Sequence, residues 1–144
     1  MTKKEISAVL ARAAREEVEK IAALIRATER IELVKEPQKT LVMVKVRESV
    51  GQSLFYLGEV LATECMVMVN GIKGFSVMAG DDFDKVLSAA VIDGFLNDKN
   101  GKSEKRDQIL SEIQELDKQQ KKKRAGLNAA IMKSKVNFNV MGES

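Results

Sequence analysis

The side chains in this sequence that could do chemistry are few, and the commonest general base is missing. The chain contains no histidine and one cysteine. Without histidine there can be no Ser-His or Cys-His nucleophile, and the usual ligand of zinc and copper is absent. We therefore predict no metal site, and any catalysis would have to use carboxylates, lysine, arginine or Tyr56. A single cysteine also excludes a disulfide within the chain.

Cys65 and Glu59 are the two candidates for a reactive group. Cys65 lies in the predicted strand 63–69, where a cysteine is more often a small buried hydrophobic residue than an activated thiol. Glu59 follows Gly58, and a glycine inside a strand indicates a bulge or a close backbone approach. Glu59 and Glu64 would form paired carboxylates if a hairpin brought them together. In the alternative interpretation, Glu59 is a solvent-facing charge.

A basic segment lies near the end of the chain. Residues 118–135 contain seven lysines or arginines and no acid. The run Lys121, Lys122, Lys123 and Arg124 suits an acidic partner surface or a second copy's acidic segment at Asp81 to Asp84. Nucleic acid is the weaker alternative, because a net charge of +3 and an aromatic content of 4% are low for a nucleic-acid surface with stacking platforms.

Cys65, Glu59 and Glu64 lie in a sheet that we predict between Leu41 and Met78. Runs over 41–47, 54–61, 63–69 and 73–78 are rich in β-forming residues and are separated by turn formers, which indicates an antiparallel meander. Asn70-Gly71 is the pair favoured in a two-residue type I′ hairpin turn. Gly71, Gly74 and Gly80 match no phosphate-binding loop, so we interpret them as turns and as backbone relief around Phe75. Several strands are apolar on both faces and need cover from helices or from another chain.

Helices are predicted before and after this sheet along the chain. The first covers residues 1–27, begins with a Thr2–Glu5 capping box, and breaks or bends near Ala14-Arg15. Before the sheet, residues 31–35 form a short strand that ends at Pro37, and residues 36–40 form a turn. After it, Asp81 or Asp82 is the N-cap of a helix over 83–95 that covers one sheet face.

A long charged helix is predicted over residues 102–131. Its apolar side chains are too few to anchor it to the chain's own core, so we expect Ile109 and Ile113 to contact a partner. Residues 136–141 alternate apolar and polar side chains and are predicted to form a last strand.

Composition indicates one α+β domain over residues 1–144, with a core at about 1–98 and an arm at about 102–144. Of its 144 residues, 44% are hydrophobic and 31% charged. No apolar run reaches the roughly 18 residues of a membrane span, and no signal peptide is evident. The expected location is therefore the cytoplasm.

Several motifs together resemble the PhnG family of the carbon–phosphorus lyase system. They are FYLGEV at 55–60, Thr63-x-Cys65-x-Val67-x-Val69, Gly74-Phe75-Ser76, Gly80-x-Asp82 and Ala89-Ala90-x-x-Asp93. The family-motif positions singled out are Gly58, Glu59, Thr63, Cys65, Gly74, Gly80 and Asp82. The chain departs from the family's usual pattern at Glu64 and Asp81, where the family often has a basic residue, and in its tail.

The resemblance implies a subunit of a transferase complex in phosphonate catabolism. Proteins of this family act with PhnI, PhnH and PhnL partners, transferring methylphosphonate to C1′ of the ATP ribose with release of adenine. The chain is then expected to scaffold the complex, with no cofactor of its own, ATP being the substrate of the complex. Two alternatives remain: an enzyme that uses Glu59, and a nucleic-acid-binding protein that uses the basic helix 118–135. A homodimer is also compatible with the sequence.

Overall fold

A computed structural model describes residues 1–47, 50–51, 54–100 and 103–143 of the chain. The elements are, in order, α1 (Lys3–Arg12), α2 (Arg15–Arg26), β1 (Ile31–Arg47), β2 (Leu54–Val69), β3 (Ile72–Ala79), α3 (Phe83–Asn97) and α4 (Ser103–Glu143). They belong to two compact units: unit 1 contains Met1–Arg12 and Leu110–Ser144, and unit 2 contains Ala13–Ile109. The predicted α+β class is confirmed, whereas a single domain over residues 1–144 stays a prediction.

The three strands of unit 2 form an antiparallel sheet in the order β1-β2-β3. The Asn70-Gly71 turn between β2 and β3 is confirmed, because both residues have the positive φ that a type I′ turn needs, 51° and 83°. The turn is also tied to the start of β1. Asn70 N donates to Arg30 O at 2.9 Å, and Arg30 N donates to Asn70 Oδ1 at 3.0 Å.

β1 is one strand of 17 residues, so the predicted turn over 36–40 is wrong. Pro37 lies inside β1, which is possible because β1 is an edge strand and needs hydrogen bonds on one side only. The pairing with β2 shifts register between Leu33 and Lys35 and again between Lys35 and Gln38. These irregularities accommodate the proline without ending the strand.

β2 is likewise one strand of 16 residues, and the predicted break near Ala62 is wrong. Ala62 pairs with Thr40 on one side and Ala79 on the other, so two neighbours hold the backbone extended there. Of the two alternatives predicted at Gly58, a bulge or a close backbone approach, the structure shows the bulge. Gly58 has a φ of 152°, and the register shifts between its partner Val44 and the next residue of β1, Lys45.

α3 covers one face of the sheet, as predicted, and it is the central helix of unit 2. The β2 residues on that face, Thr63, Cys65, Val67 and Val69, are all buried. α3 contacts β2 and β3 on one side and α2 on another. Ser88 to Ile92 are buried without interruption, so the middle of α3 is covered all round and is not one-sided, as our prediction of an amphipathic helix required.

The contact between α3 and β3 depends on two glycines. A Cβ at Gly74 would lie 2.2 Å from Ala90 O and 2.5 Å from Gly94 N, and one at Gly94 would lie 2.7 Å from Val69 Cγ2. No real Cβ tolerates the first two distances, because the atoms that it meets belong to the helix backbone. Only glycine at position 74 lets α3 approach the strand this closely.

The N-terminal prediction is confirmed in both of its parts. Thr2 Oγ1 accepts from Glu5 N at 3.1 Å and Glu5 Oε2 accepts from Thr2 N at 3.4 Å, which is the predicted capping box. The helix is interrupted between Arg12 and Arg15. α2 then begins with Glu17 Oε1 accepting from Ala14 N at 2.9 Å.

α4 is longer than predicted and ends at Glu143. The predicted strand over 136–141 is wrong, because the backbone there continues the helix. Alternation of apolar and polar residues favours a strand only where a neighbouring strand supplies hydrogen bonds. Among the described residues β1 and β3 pair only with β2.

We expect Gly74→Ala to destabilise the protein by about 1–3 kcal/mol or more, because the added methyl must displace α3 from the sheet. Gly126→Ala is the matched control. A Cβ at Gly126 meets nothing within 4 Å, so this substitution in α4 should stabilise by about 0.5–1 kcal/mol. Thermal unfolding of both variants is the measurement, and a Gly74→Ala variant as stable as the parent would contradict the account.

Candidate functional site

Three of the residues that carry the family resemblance, Thr63, Gly80 and Asp82, meet at the corner where β3 ends and α3 begins. Thr63 Oγ1 donates to Gly80 O at 2.7 Å, and Gly80 N donates to Leu61 O at 3.0 Å. Gly80 has a φ of 98°, which only glycine adopts readily. These bonds fix the chain reversal that sends α3 back over the sheet.

Asp82 is the N-cap of α3, which resolves the predicted choice between Asp81 and Asp82. Its Oδ1 accepts from Lys85 N at 3.1 Å, and its Oδ2 accepts from Arg15 Nε at 3.1 Å. Burial acts to raise the pKa of Asp82, but the Lys85 N–H and the Arg15 guanidinium outweigh it, and the pKa is lowered. The carboxylate therefore joins α2 to the start of α3 in its charged form.

Cys65 is fully buried on the covered face of β2. Burial raises the pKa of its thiol, although Arg26 and the Met66 backbone N–H act in the opposite direction. A thiol that is buried and protonated at neutral pH is a poor nucleophile. The structure therefore favours a packing role for Cys65.

Glu59 and Glu64 are not brought together, so the paired-carboxylate hypothesis is wrong. Both lie on the continuous strand β2, where five residues span roughly 16 Å. Hydrogen bonds from Lys35 and Gln38 lower the pKa of Glu64, and the Lys35 pair bridges β1 and β2. Glu59 is exposed and pairs across the ladder with Met43.

Asp93 was part of the resemblance, but its role was not predicted from the sequence. Its Oδ2 accepts from Phe75 N at 2.9 Å and from Asn97 Nδ2 at 3.2 Å. Asn97 Nδ2 also donates to Lys73 O at 2.9 Å. α3 thus satisfies backbone groups on the outer edge of β3. A carboxylate and an amide four residues apart on one helix face were the available signal.

Beyond the end of β3, β1 and β2 continue as a two-stranded ribbon that exposes apolar side chains. We call the ribbon residues 41–47 of β1 and 54–61 of β2, which pair with each other and not with β3. Leu41 is 63% exposed and Met43 55% exposed, and Val42, Val60 and Leu61 are exposed as well. A two-stranded ribbon is at best marginally stable alone in water, and exposed apolar patches mark interaction sites.

The residues predicted to contact a partner from α4 fall into two groups. Lys121, Lys122, Lys123 and Arg124 are exposed, and Lys121 Nζ lies 3.1 Å from Asp117 Oδ2. Ile109 and Ile113 are fully buried. Two buried side chains offer no surface to another protein, so their predicted partner role is corrected and the basic run alone stays a candidate.

A cavity of about 340 Å³ is lined by residues of α2 and α3. Its charged members are Glu19, Arg26 and Asp84, and its other members are Ala23, Leu87 and Ser88.

In the part of the chain that the structure describes, no three histidine, cysteine, aspartate or glutamate side chains are grouped as a metal site would require. Among the described residues, no helix has the length and apolar character needed to cross a membrane.

Asp82→Ala should destabilise the protein by about 0.5–2 kcal/mol at neutral pH, because the helix cap is lost. Asp82→Asn keeps an acceptor for Lys85 N and should cost less. The lowered pKa of Asp82 means that its charged form stabilises the fold above the unfolded-state pKa. That contribution is lost as the pH falls through the folded-state pKa, so the difference between parent and Asp82→Ala should shrink under acid conditions.

Urea unfolding of the parent and the variants from about pH 7 down to about pH 2 measures this dependence, because that range extends well below the ordinary carboxyl pKa of about 4. Asp81→Asn is the control, since neighbouring Asp81 is exposed and should change stability little. A difference between parent and Asp82→Ala that stays constant down to the lowest pH would contradict the role of the charge.

The comparison with known families agrees with the motif resemblance. A family model described as "Phosphonate metabolism protein PhnG" matches residues 1–142. None of the curated proteins searched matches the chain. Because the match extends over nearly the whole sequence and includes every motif residue placed above, the chain belongs to the PhnG family and has a role in phosphonate metabolism.

Proposed function

We propose that this chain is a scaffolding subunit of the complex that transfers methylphosphonate to C1′ of the ATP ribose and releases adenine. Membership of the PhnG family supports the metabolic part of this proposal, a role in phosphonate metabolism. The observation that carries the structural part is the exposed apolar ribbon of β1 and β2. In this proposal the ribbon docks on a partner subunit, and the partner supplies the catalytic groups.

The placement of the motif residues supports a structural role for them. Thr63 and Gly80 fix the corner, Asp82 caps α3, and Cys65 is buried. Each is occupied in holding α3 on the sheet. These four motif residues therefore maintain a shape that presents the ribbon.

The proposed partners are PhnI-, PhnH- and PhnL-type subunits of the same system. The ribbon suits a protein partner because covering the exposed part of Leu41 and of Met43 would contribute roughly 1–2 kcal/mol each. ATP would be the substrate of the assembled complex, with no cofactor held by this chain alone. We place the assembly in the cytoplasm.

Glu59 lies on the same ribbon, and this placement favours a second candidate function, an enzyme that uses Glu59. Its carboxylate is exposed beside the bulge at Gly58, and bulges often re-aim side chains at active sites. A docked ribbon would carry Glu59 to the interface, where it could act as an acid or base together with partner residues.

Met43→Glu should weaken assembly with a PhnI-type subunit at least tenfold, because a charge would be buried in an apolar contact. Affinity of the purified subunits, measured by calorimetry, checks this. The thermal unfolding temperature should change little, since Met43 is exposed in the free chain.

Val34→Glu is the matched control on the same strand. Val34 is also 55% exposed but lies outside the ribbon. The Val34→Glu variant should assemble with nearly the parent's affinity. Normal assembly of Met43→Glu, or equal weakening by both variants, would rule out the ribbon as the docking element.

A further inference from the structure

A notch in unit 1 combines an apolar floor with a cationic rim. The notch is a cavity of about 200 Å³ lined by Arg12 of α1 and by Gln120, Lys123, Arg124 and Leu127 of α4. Leu127 is 61% exposed, and the alkyl stems of the basic residues add apolar surface while their charges stay in water. The volume is below the range of about 300–1,000 Å³ typical of small-molecule sites. It suits one large side chain.

Gln120 links α4 to the end of α1 at the notch, and its side-chain oxygen is left without a partner among the described residues. Its Nε2 donates to Val9 O at 2.9 Å, one of the last carbonyls of α1, which have no partner within their own helix. Its Oε1 is buried and has no hydrogen-bond partner in the part of the chain that the structure describes. Since this oxygen is buried, it does not face an occupant of the notch, and the contacts that the notch offers are its apolar floor and its cationic rim.

The start of α3 has the complementary character. We call Asp81, Phe83 and Asp84 the key. Phe83 is 40% exposed, and Asp81 and Asp84, which come before and after it in the sequence, are exposed as well. Asp82 is already engaged by Arg15.

We propose that the notch of one copy receives Phe83 from the key of a second copy, with Asp81 and Asp84 against Arg12, Lys123 and Arg124. The ring fills the apolar floor, and a guanidinium over its face adds a cation–π contact. Opposite charges on the two rims select this partner and orient it. The notch and the key are different surfaces, so each copy contributes one of each to the assembly.

This contact is independent of the ribbon and of the proposed complex, so it is tested on the full chain alone. Sedimentation velocity over a range of about 1–200 μM should show self-association that weakens with salt. Arg124→Glu and Asp84→Arg should each raise the dissociation constant at least tenfold. An equal mixture of these two variants should associate again, because each reversed charge meets its opposite. Phe83→Ala should weaken association without changing either charge.

Two control variants change net charge by the same amount elsewhere. Lys20→Glu matches Arg124→Glu, and Asp107→Arg matches Asp84→Arg; both parent residues are exposed. Neither should change association. Circular dichroism must show that every variant is folded, and Asp81→Arg replaces Asp84→Arg if that variant unfolds. A parent chain that stays monomeric, a mixture that fails to associate, or controls that weaken association equally would each overturn the proposal.

Discussion

The close approach of α3 to β3 at Gly74 is the constraint on which unit 2 depends. A side chain at position 74 would collide with the helix backbone at Ala90 O. With glycine there, α3 lies low enough for Asp93 to reach Phe75 N and for Asn97 to reach Lys73 O. The outer edge of β3 is then partly satisfied by a helix of the same chain, which protects it from pairing with other strands.

The same sheet has a covered part and an uncovered part, and the division falls near Ala62 of β2. From Ala62 to Val69 the strand has neighbours on both sides and α3 on one face. Before Ala62 it pairs only with β1, and the apolar side chains of the ribbon are exposed. Packing within the chain accounts for the covered part, because burying its apolar side chains stabilises the fold. The exposed apolar side chains of the uncovered part are the observation behind the docking role that we propose for the ribbon.

The sequence predicted those parts of the fold whose causes are local. The Thr2–Glu5 capping box, the Asn70-Gly71 turn and the bulge at Gly58 follow from residues adjacent in sequence. The errors concern partners distant in sequence: β1 passes through Pro37 because only one side of it is paired, and residues 136–141 pair with no strand among the described residues and continue α4. The burial of Ile109 and Ile113 was missed for the same reason. Of the site, the resemblance supplied the residues, and only the structure showed that Asp82 and Asp93 act on the backbone.

The central claim is that the chain acts in phosphonate metabolism through its partners, and adenine release tests it most directly. Purified chain should release no adenine from ATP and methylphosphonate, because its motif residues hold the fold. PhnI-, PhnH- and PhnL-type subunits should release adenine when this chain is added and lose most of that activity when it is omitted. Adenine release by the chain alone, or full activity of the partners without it, would contradict the account.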